Sequence, residues 1–254
     1  MNIKSISTQL LYSTVPIWGE KKNGEQVSGT GFFFSFIKEN NLTIPLLVTN
    51  YHVLKDVTRG IFEFVAREND MPTKNKVRIE FDNSIINRNK NETLDLIAIP
   101  IGPIINEMEQ KGKSIFFRSI TPDIVPSYEQ ITNLAAIEEI TFIGYPSGIY
   151  DSYNVSPIVR RGITATPVWN DFKGDPSFLI DAGVYPGSSG SPVFLFNQGS
   201  YSTNEGISIG SRLMFLGVIS ESFVRSTSQE SYLGLGKVIN SRATLDYLKQ
   251  FDYL

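Results

Sequence analysis

The chain has 254 residues, 41% of them apolar, with 23 Lys and Arg against 26 Asp and Glu, one His and no Cys. The missing thiols exclude disulfides and thiolate metal sites, and a lone imidazole argues against a zinc centre, so no cofactor is implied. A net charge of −3 with interspersed signs argues against a nucleic-acid partner, and no apolar run approaches the roughly 20 residues of a membrane-spanning helix.

That length and apolar content suit one all-β unit or two small barrels sharing a cleft. Residues 1–7 hold one lysine and no apolar stretch with a small-residue cleavage site, which predicts no signal peptide and a cytoplasmic location by default. β-branched and aromatic residues over 8–18 predict a first strand, closed by a turn at 20–24. Strands follow at 31–37 and 45–50, and a helical turn over 51–57 carries His52. Period-two alternation marks 61–65 and 77–81 as half-buried strands. The polar run 87–92 reads as a loop delivering Asp95, and this first group of strands spans 8–102. A helix-like stretch at 103–111 and a segment at 128–136 make a bridge over 103–138. The second group, 139–240, takes strands from 139–146, 158–166, 178–182, 193–196, 214–220 and 232–239. Residues 241–250 close the chain as a helix capped by Ser241. No polar linker separates the halves, so one domain over 1–254 is expected.

Three stretches carry reactive groups. Tyr185-Pro186-Gly187-Ser188-Ser189-Gly190-Ser191-Pro192 holds a serine between glycines ahead of an apolar strand. A serine hydroxyl becomes a nucleophile only beside a base, and carries an acyl group well only where N–H groups receive the oxyanion. Gly187 can take backbone angles that aim its N–H and that of Ser189 into one concavity. The same residue types also crowd surface turns. His52, at a strand end, suits a structural role or that of a base. Asp95 stands in the apolar run Leu94–Pro100, where an ionised carboxylate needs a partner. An imidazole N–H would serve, and so would water at the mouth of a strand.

Together, His52, then Asp95, then Ser189 in Gly-x-Ser-Gly-Ser-Pro resemble the chymotrypsin-like (trypsin-fold) serine proteases, most of all the bacterial HtrA-type and glutamyl-endopeptidase-type branches. The spacings fit, as does Ser28-Gly29-Thr30-Gly31-Phe32-Phe33-Phe34 ahead of the histidine strand, and the resemblance runs from Gly29 to Leu248. It implies an all-β fold of two six-stranded antiparallel β-barrels, with the active site in the cleft between them and a short C-terminal helix. It further implies a serine endopeptidase acting on protein or peptide substrates, with Ser189 as nucleophile, His52 as base and Asp95 fixing the imidazole tautomer. The backbone N–H groups of Gly187, Ser188 and Ser189 would form the oxyanion hole.

Ser188 and Ser191 are rival nucleophiles, but only Ser189 holds the Gly-x-Ser-Gly position. Asp56 and Asp82 are rivals to Asp95; the first is too close in sequence to His52 and the second sits in a turn. Gly183 stands where trypsin-like specificity is set by an aspartate, so a basic-residue pocket is not supported. Gly183, Ser220 and Glu221 are expected to border the substrate, with residues 214–221 as the strand on which a peptide pairs. A small or apolar residue before the cut is expected, and Arg160-Arg161 offers an acidic alternative. Ser188 replaces the aspartate that captures a newly cut N-terminus, so activation by N-terminal insertion is not expected, and the loop over 145–159 is either a gate or inert surface. Two other readings stand beside this one. A catalytically silent protein of the same fold would bind peptides; an esterase is disfavoured because His52 and Asp95 both precede Ser189, against the Ser, acid, His order of α/β-hydrolases.

Overall fold

The computed structural model describes residues 2–39, 42–86, 89–203, 206–225 and 231–252. The chain begins with a helical turn, α1 (Ile6–Leu10), and not with the expected strand over 8–18. Ser5 caps it by accepting from the Thr8 N–H at 3.3 Å, a local bond that competes with strand pairing. The first strand is β1 (Thr14–Lys21), followed by β2 (Gln26–Ile37), β3 (Thr43–Asn50), the one-turn helix α2 (Tyr51–Leu54), β4 (Val57–Glu68), β5 (Met71–Asp82), β6 (Lys90–Asn91) and β7 (Leu96–Pro100). The bridge contains α3 (Gly102–Gln110), β8 (Ile115–Phe116) and α4 (Tyr128–Thr132).

These strands form an antiparallel sheet in the order β5-β4-β1-β2-β3-β7-β6, with β8 paired to β4. Eight strands stand where six were expected, because β6 and β8 are two residues each and too short to show a period. Of the polar run 87–92, residues 87 and 88 lie outside the described residues, and Lys90 and Asn91 pair with Ile97 and Leu96.

The second half holds β9 (Glu139–Gly144), β10 (Ile158–Thr164), β11 (Ser177–Asp181), β12 (Pro192–Asn197), an unforeseen hairpin of β13 (Ser200–Thr203) and β14 (Gly206–Ile209), β15 (Arg212–Arg225) and β16 (Ser231–Asn240). Six of them close a barrel in the order β10-β11-β16-β15-β12-β9. The final helix, α5 (Ser241–Leu248), is capped by Asn240 and not by Ser241. Asn240 is still extended, and its Oδ1 accepts from the Ala243 N–H at 2.9 Å.

Each half has its own apolar core, and a third cluster joins them. Phe32, Phe34, Leu46 and Leu96 from the first half meet Phe194, Phe215, Val218 and Leu248 from the second, all with no exposed surface. The Phe32 and Phe215 rings, 5.6 Å apart, cross the seam; such a pair adds about 0.5–1.5 kcal/mol to the area it buries. α5 strengthens the same seam. The Tyr247 hydroxyl accepts from the Ala98 N–H on β7 at 2.9 Å and donates to the Asn89 carbonyl. The two halves are therefore one packed body, and β2, β3 and β7 face the second barrel across a fixed junction.

Candidate active site

β3 ends at Asn50 and α2 carries His52 directly after it. Asp95 precedes β7, whose Leu96 and Ile97 are fully buried and so fix its place. Its carbonyl accepts from the Tyr51 N–H and from Asn50 Nδ2, both at 3.0 Å. Its carboxylate Oδ1 accepts from the His52 N–H at 2.8 Å, and Oδ2 lies 2.6 Å from His52 Nδ1. Asp95 thus holds both the backbone and the ring of His52. It does so from the left-handed region, at φ 54°, where a non-glycine residue costs about 1–2 kcal/mol that these bonds offset. A carboxylate can only accept, so the network assigns the imidazole proton to Nδ1 and leaves a lone pair on Nε2.

The serine turn is set against β2. The Thr30 N–H donates to the Ser189 carbonyl at 2.9 Å, the Thr30 hydroxyl donates to the Gly187 carbonyl at 2.9 Å, and the Tyr145 N–H donates back to that hydroxyl at 3.1 Å. Thr30 belongs to the glycine-flanked stretch ahead of the histidine strand, and its role across the seam has no local signal. Gly190 makes the close approach possible. It sits at φ 87°, and a Cβ there would stand 1.9 Å from the Thr30 carbonyl oxygen and 2.6 Å from Thr49 Oγ1. Its N–H donates to Ile219 at 2.9 Å. Ser189 is therefore lodged between the end of β3, three residues before His52, and the strand that carries Ser220.

Burial separates the rival serines. Ser188 and Ser191 have no exposed surface, while Ser189 is half-buried. Among the rival acids, Asp82 Oδ1 accepts from the Ser84 N–H, a capping role, and Asp56 is exposed. The dyad His52–Asp95 is closed by a hydrogen bond; Ser189 Oγ makes none with His52 among the described residues. Such bonds are often loose without substrate.

One expected oxyanion donor is corrected. The Ser188 N–H is spent on the Tyr185 carbonyl at 3.0 Å, which closes the turn. The N–H groups of Gly187 and Ser189 have no acceptor among the described residues. The Pro186 carbonyl is drawn to the Ser147 N–H at 2.6 Å. Because C=O and N–H point oppositely in a trans peptide, this aims the Gly187 N–H away from Ser147. Gly187 itself has φ 84°, and a Cβ would meet the Tyr145 carbonyl oxygen at 2.6 Å.

The expected pocket residues divide. Ser220 and Glu221 line a cavity of about 520 Å³ with His52, Asp95, Asp175 and Lys237. β12 pairs with β15 as far as Val218, so the edge of residues 214–218 on that side is taken and is not open to a peptide. The open edge begins beyond Ile219, whose N–H donates to Ser191 and whose carbonyl accepts from Gly190. Gly183 does not line that cavity but stands at the start of the serine turn beside Arg160: a Cβ at 183 would lie 2.8 Å from Arg160 Nη2 and 3.6 Å from the Tyr185 ring. The Arg160 guanidinium also lies 5.1 Å from the centroid of the Tyr185 ring, and it has no carboxylate partner among the described residues. Arg161, its neighbour, is paired with Glu139 at 2.6 Å. Among the described residues, no group of three or more His, Cys, Asp or Glu is arranged to hold a metal ion.

Residues 29–201 match the trypsin-like peptidase domain family. The chain belongs to that family. Two structures of the HtrA-type protease AlgW with a tripeptide share the fold, at TM-scores of 0.52 and 0.51 and 16% identity. Each match covers 95% of this peptidase-family chain, which spans 60% of the AlgW chain. The Rv3671c protease from M. tuberculosis, in its active form, matches at a TM-score of 0.50 and 16% identity, over 95% of this chain and 82% of that one. No curated protein is significantly similar in sequence.

Proposed function

We propose that the chain is a serine endopeptidase. The observation that carries this reading is the His52 Nδ1–Asp95 Oδ2 pair at 2.6 Å, which occupies Nδ1 and leaves the Nε2 lone pair to act as the base. The Ser189 hydroxyl gives its proton to Nε2 as Oγ bonds to the scissile carbonyl carbon. The carbonyl oxygen, now an anion, is received by the N–H groups of Gly187 and Ser189, each worth about 3 kcal/mol by analogy. Collapse breaks the C–N bond, the imidazolium returns its proton to the leaving amine, and water repeats the sequence to free the acyl group. Substrate backbone pairs with the open edge of β15 from Ser220 onward.

Reaction with a fluorophosphonate, followed by mass spectrometry, tests this reading. A stoichiometric adduct on Ser189 that is lost in Ser189→Ala supports it. A folded protein that takes no adduct speaks for the peptide-binding alternative and against catalysis.

For the residue before the cut, Arg160 supports an acidic side chain over the small or apolar one expected from Gly183. Arg160 is half-buried, has no carboxylate partner among the described residues, and its guanidinium occupies the space that a side chain at 183 would take, a geometry suited to a carboxylate. A peptide library should show cleavage after Asp or Glu, lost in Arg160→Ala; cleavage after small residues by both proteins would refute the assignment.

A further inference from the structure

The segment 145–157 leaves the second barrel after β9 and lies on the first half. Gly148 packs against Trp18 of β1, where a Cβ would stand 2.7 Å from the ring. Lys74 Nζ is 4.2 Å from the Tyr153 ring centroid. Between them Tyr150 reaches β4 and β5. Its hydroxyl donates to Glu63 Oε1 at 2.5 Å and accepts from Lys76 Nζ at 2.5 Å. Glu63 also pairs with Lys76 at 3.0 Å and, through Oε2, with Arg78 Nε at 2.8 Å.

Glu63 is 3% exposed, and a carboxylate that deep is stable only with such partners. Burial pushes its pKa up, but the bonds from Tyr150, Lys76 and Arg78 outweigh that and hold it below the ordinary value. The other side of the loop meets the serine turn. The Tyr150 ring sits edge-on to Tyr145, 5.7 Å between centroids, and Tyr145 is buried with its N–H on Thr30. Two residues on, Ser147 holds the Pro186 carbonyl. Ser147 does so at φ 50°, in the left-handed region that serine disfavours. A backbone held there persists only where its surroundings impose it.

We infer that Glu63, Lys76 and Tyr150 form a latch for the oxyanion hole, with Glu63 and Tyr150 as positioning residues. The latch holds residues 145–150 on the first half, so that Ser147 keeps the Pro186 carbonyl turned away and the Gly187 N–H presented to the developing anion. This rests on the peptidase reading and adds what sets its oxyanion hole. With the latch released, the Pro186–Gly187 peptide is free to turn over. Its carbonyl then faces the place of the anion, so acylation fails while peptide still binds.

Tyr150→Phe is the direct test, because it keeps the ring against Tyr145 and removes only the hydroxyl. The readouts are the rate of fluorophosphonate labelling at Ser189, kcat and KM taken separately, and affinity for a peptide boronate, whose tetrahedral adduct carries the anion. A fall of ~10-fold or more in labelling rate, kcat and boronate affinity is expected, with KM changed by no more than ~2-fold, since the loss falls on a group that acts only in the transition state. Glu63→Gln, which leaves Tyr150 an acceptor but removes the charge, should show the same split at smaller size and serves if Tyr150→Phe does not fold. A wild type that takes no label overturns the peptidase reading and the latch with it. A labelled wild type whose two variants react as fast, or lose only KM, overturns the latch alone.

Discussion

Thr30→Val probes the seam between the two halves at the point where it touches the proposed chemistry. Thr30 has no exposed surface, and valine matches its shape, so neither a cavity nor a clash is introduced. What is lost is one hydroxyl that donates to the Gly187 carbonyl at 2.9 Å and accepts from the Tyr145 N–H at 3.1 Å. Two buried polar groups are left without a partner, each at about 1–3 kcal/mol, so the expected destabilisation is about 2–6 kcal/mol. The backbone bonds survive, from Thr30 N–H to Ser189 and from Thr49 Oγ1 to the Thr30 carbonyl at 2.7 Å. The turn should loosen without leaving β2. Because Gly187 supplies an oxyanion donor in the proposed mechanism, acylation should slow by ~10- to 100-fold, short of the full ~10²–10³ for losing a donor. Urea unfolding gives the first quantity and the rate of fluorophosphonate labelling gives the second. A valine variant within about 0.5 kcal/mol of wild type, labelled at the wild-type rate, would show that this hydroxyl does not hold the serine turn.

Gly190→Ala should be more damaging still: a Cβ 1.9 Å from the Thr30 carbonyl oxygen must push the turn off β2 by about 1 Å or more. A misplacement of that size costs ~10²-fold in rate, which single-turnover labelling would record. Asp95→Asn should leave the fold intact, checked by circular dichroism, yet lower kcat by ~10⁴-fold, the size found when the acid of a Ser-His-Asp triad loses its charge. The Glu63 pKa is depressed from the ordinary 4.5, so its ionised form stabilises the fold at every pH above that value, and this is lost as pH falls through the lower, folded pKa. The stability gap between wild type and Glu63→Gln, followed by denaturant titration, should therefore be constant above pH 4.5 and shrink below it; a gap that widens in acid would contradict the ion-pair assignment. Tyr247→Phe strips the Ala98 N–H of its buried partner and should lower stability by about 1–3 kcal/mol, measured by the same titration.

Much of the fold could be read locally because a strand half-buried on a sheet has period two and a short helix announces its cap. The strands carrying Ile61 and Ile79 were legible by that period, whereas those carrying Phe32, Val48, Phe194 and Val218 are buried on both faces and were legible as short apolar runs; the order of His52, Asp95 and Ser189 as candidates was legible too, since one imidazole and one glycine-flanked serine leave few choices. Local signals failed where two partners competed for one segment. Residues 8–18 had the composition of a strand, but Ser5 and Thr8 bond to each other first; Asn240 outbid Ser241 as a cap because it remains extended. Other decisions were never local. The pairing of β12 with β15 takes the edge of residues 214–218 on that side from a peptide, and the turn's own closure spends the Ser188 N–H. Arg160 comes to rest over Gly183, and Glu63 meets Tyr150 87 residues away. Sequence determines which groups are present and which face of an element is apolar. Which backbone donor is left over, and which charge is brought beside which pocket, is settled only when two halves of one chain close on each other.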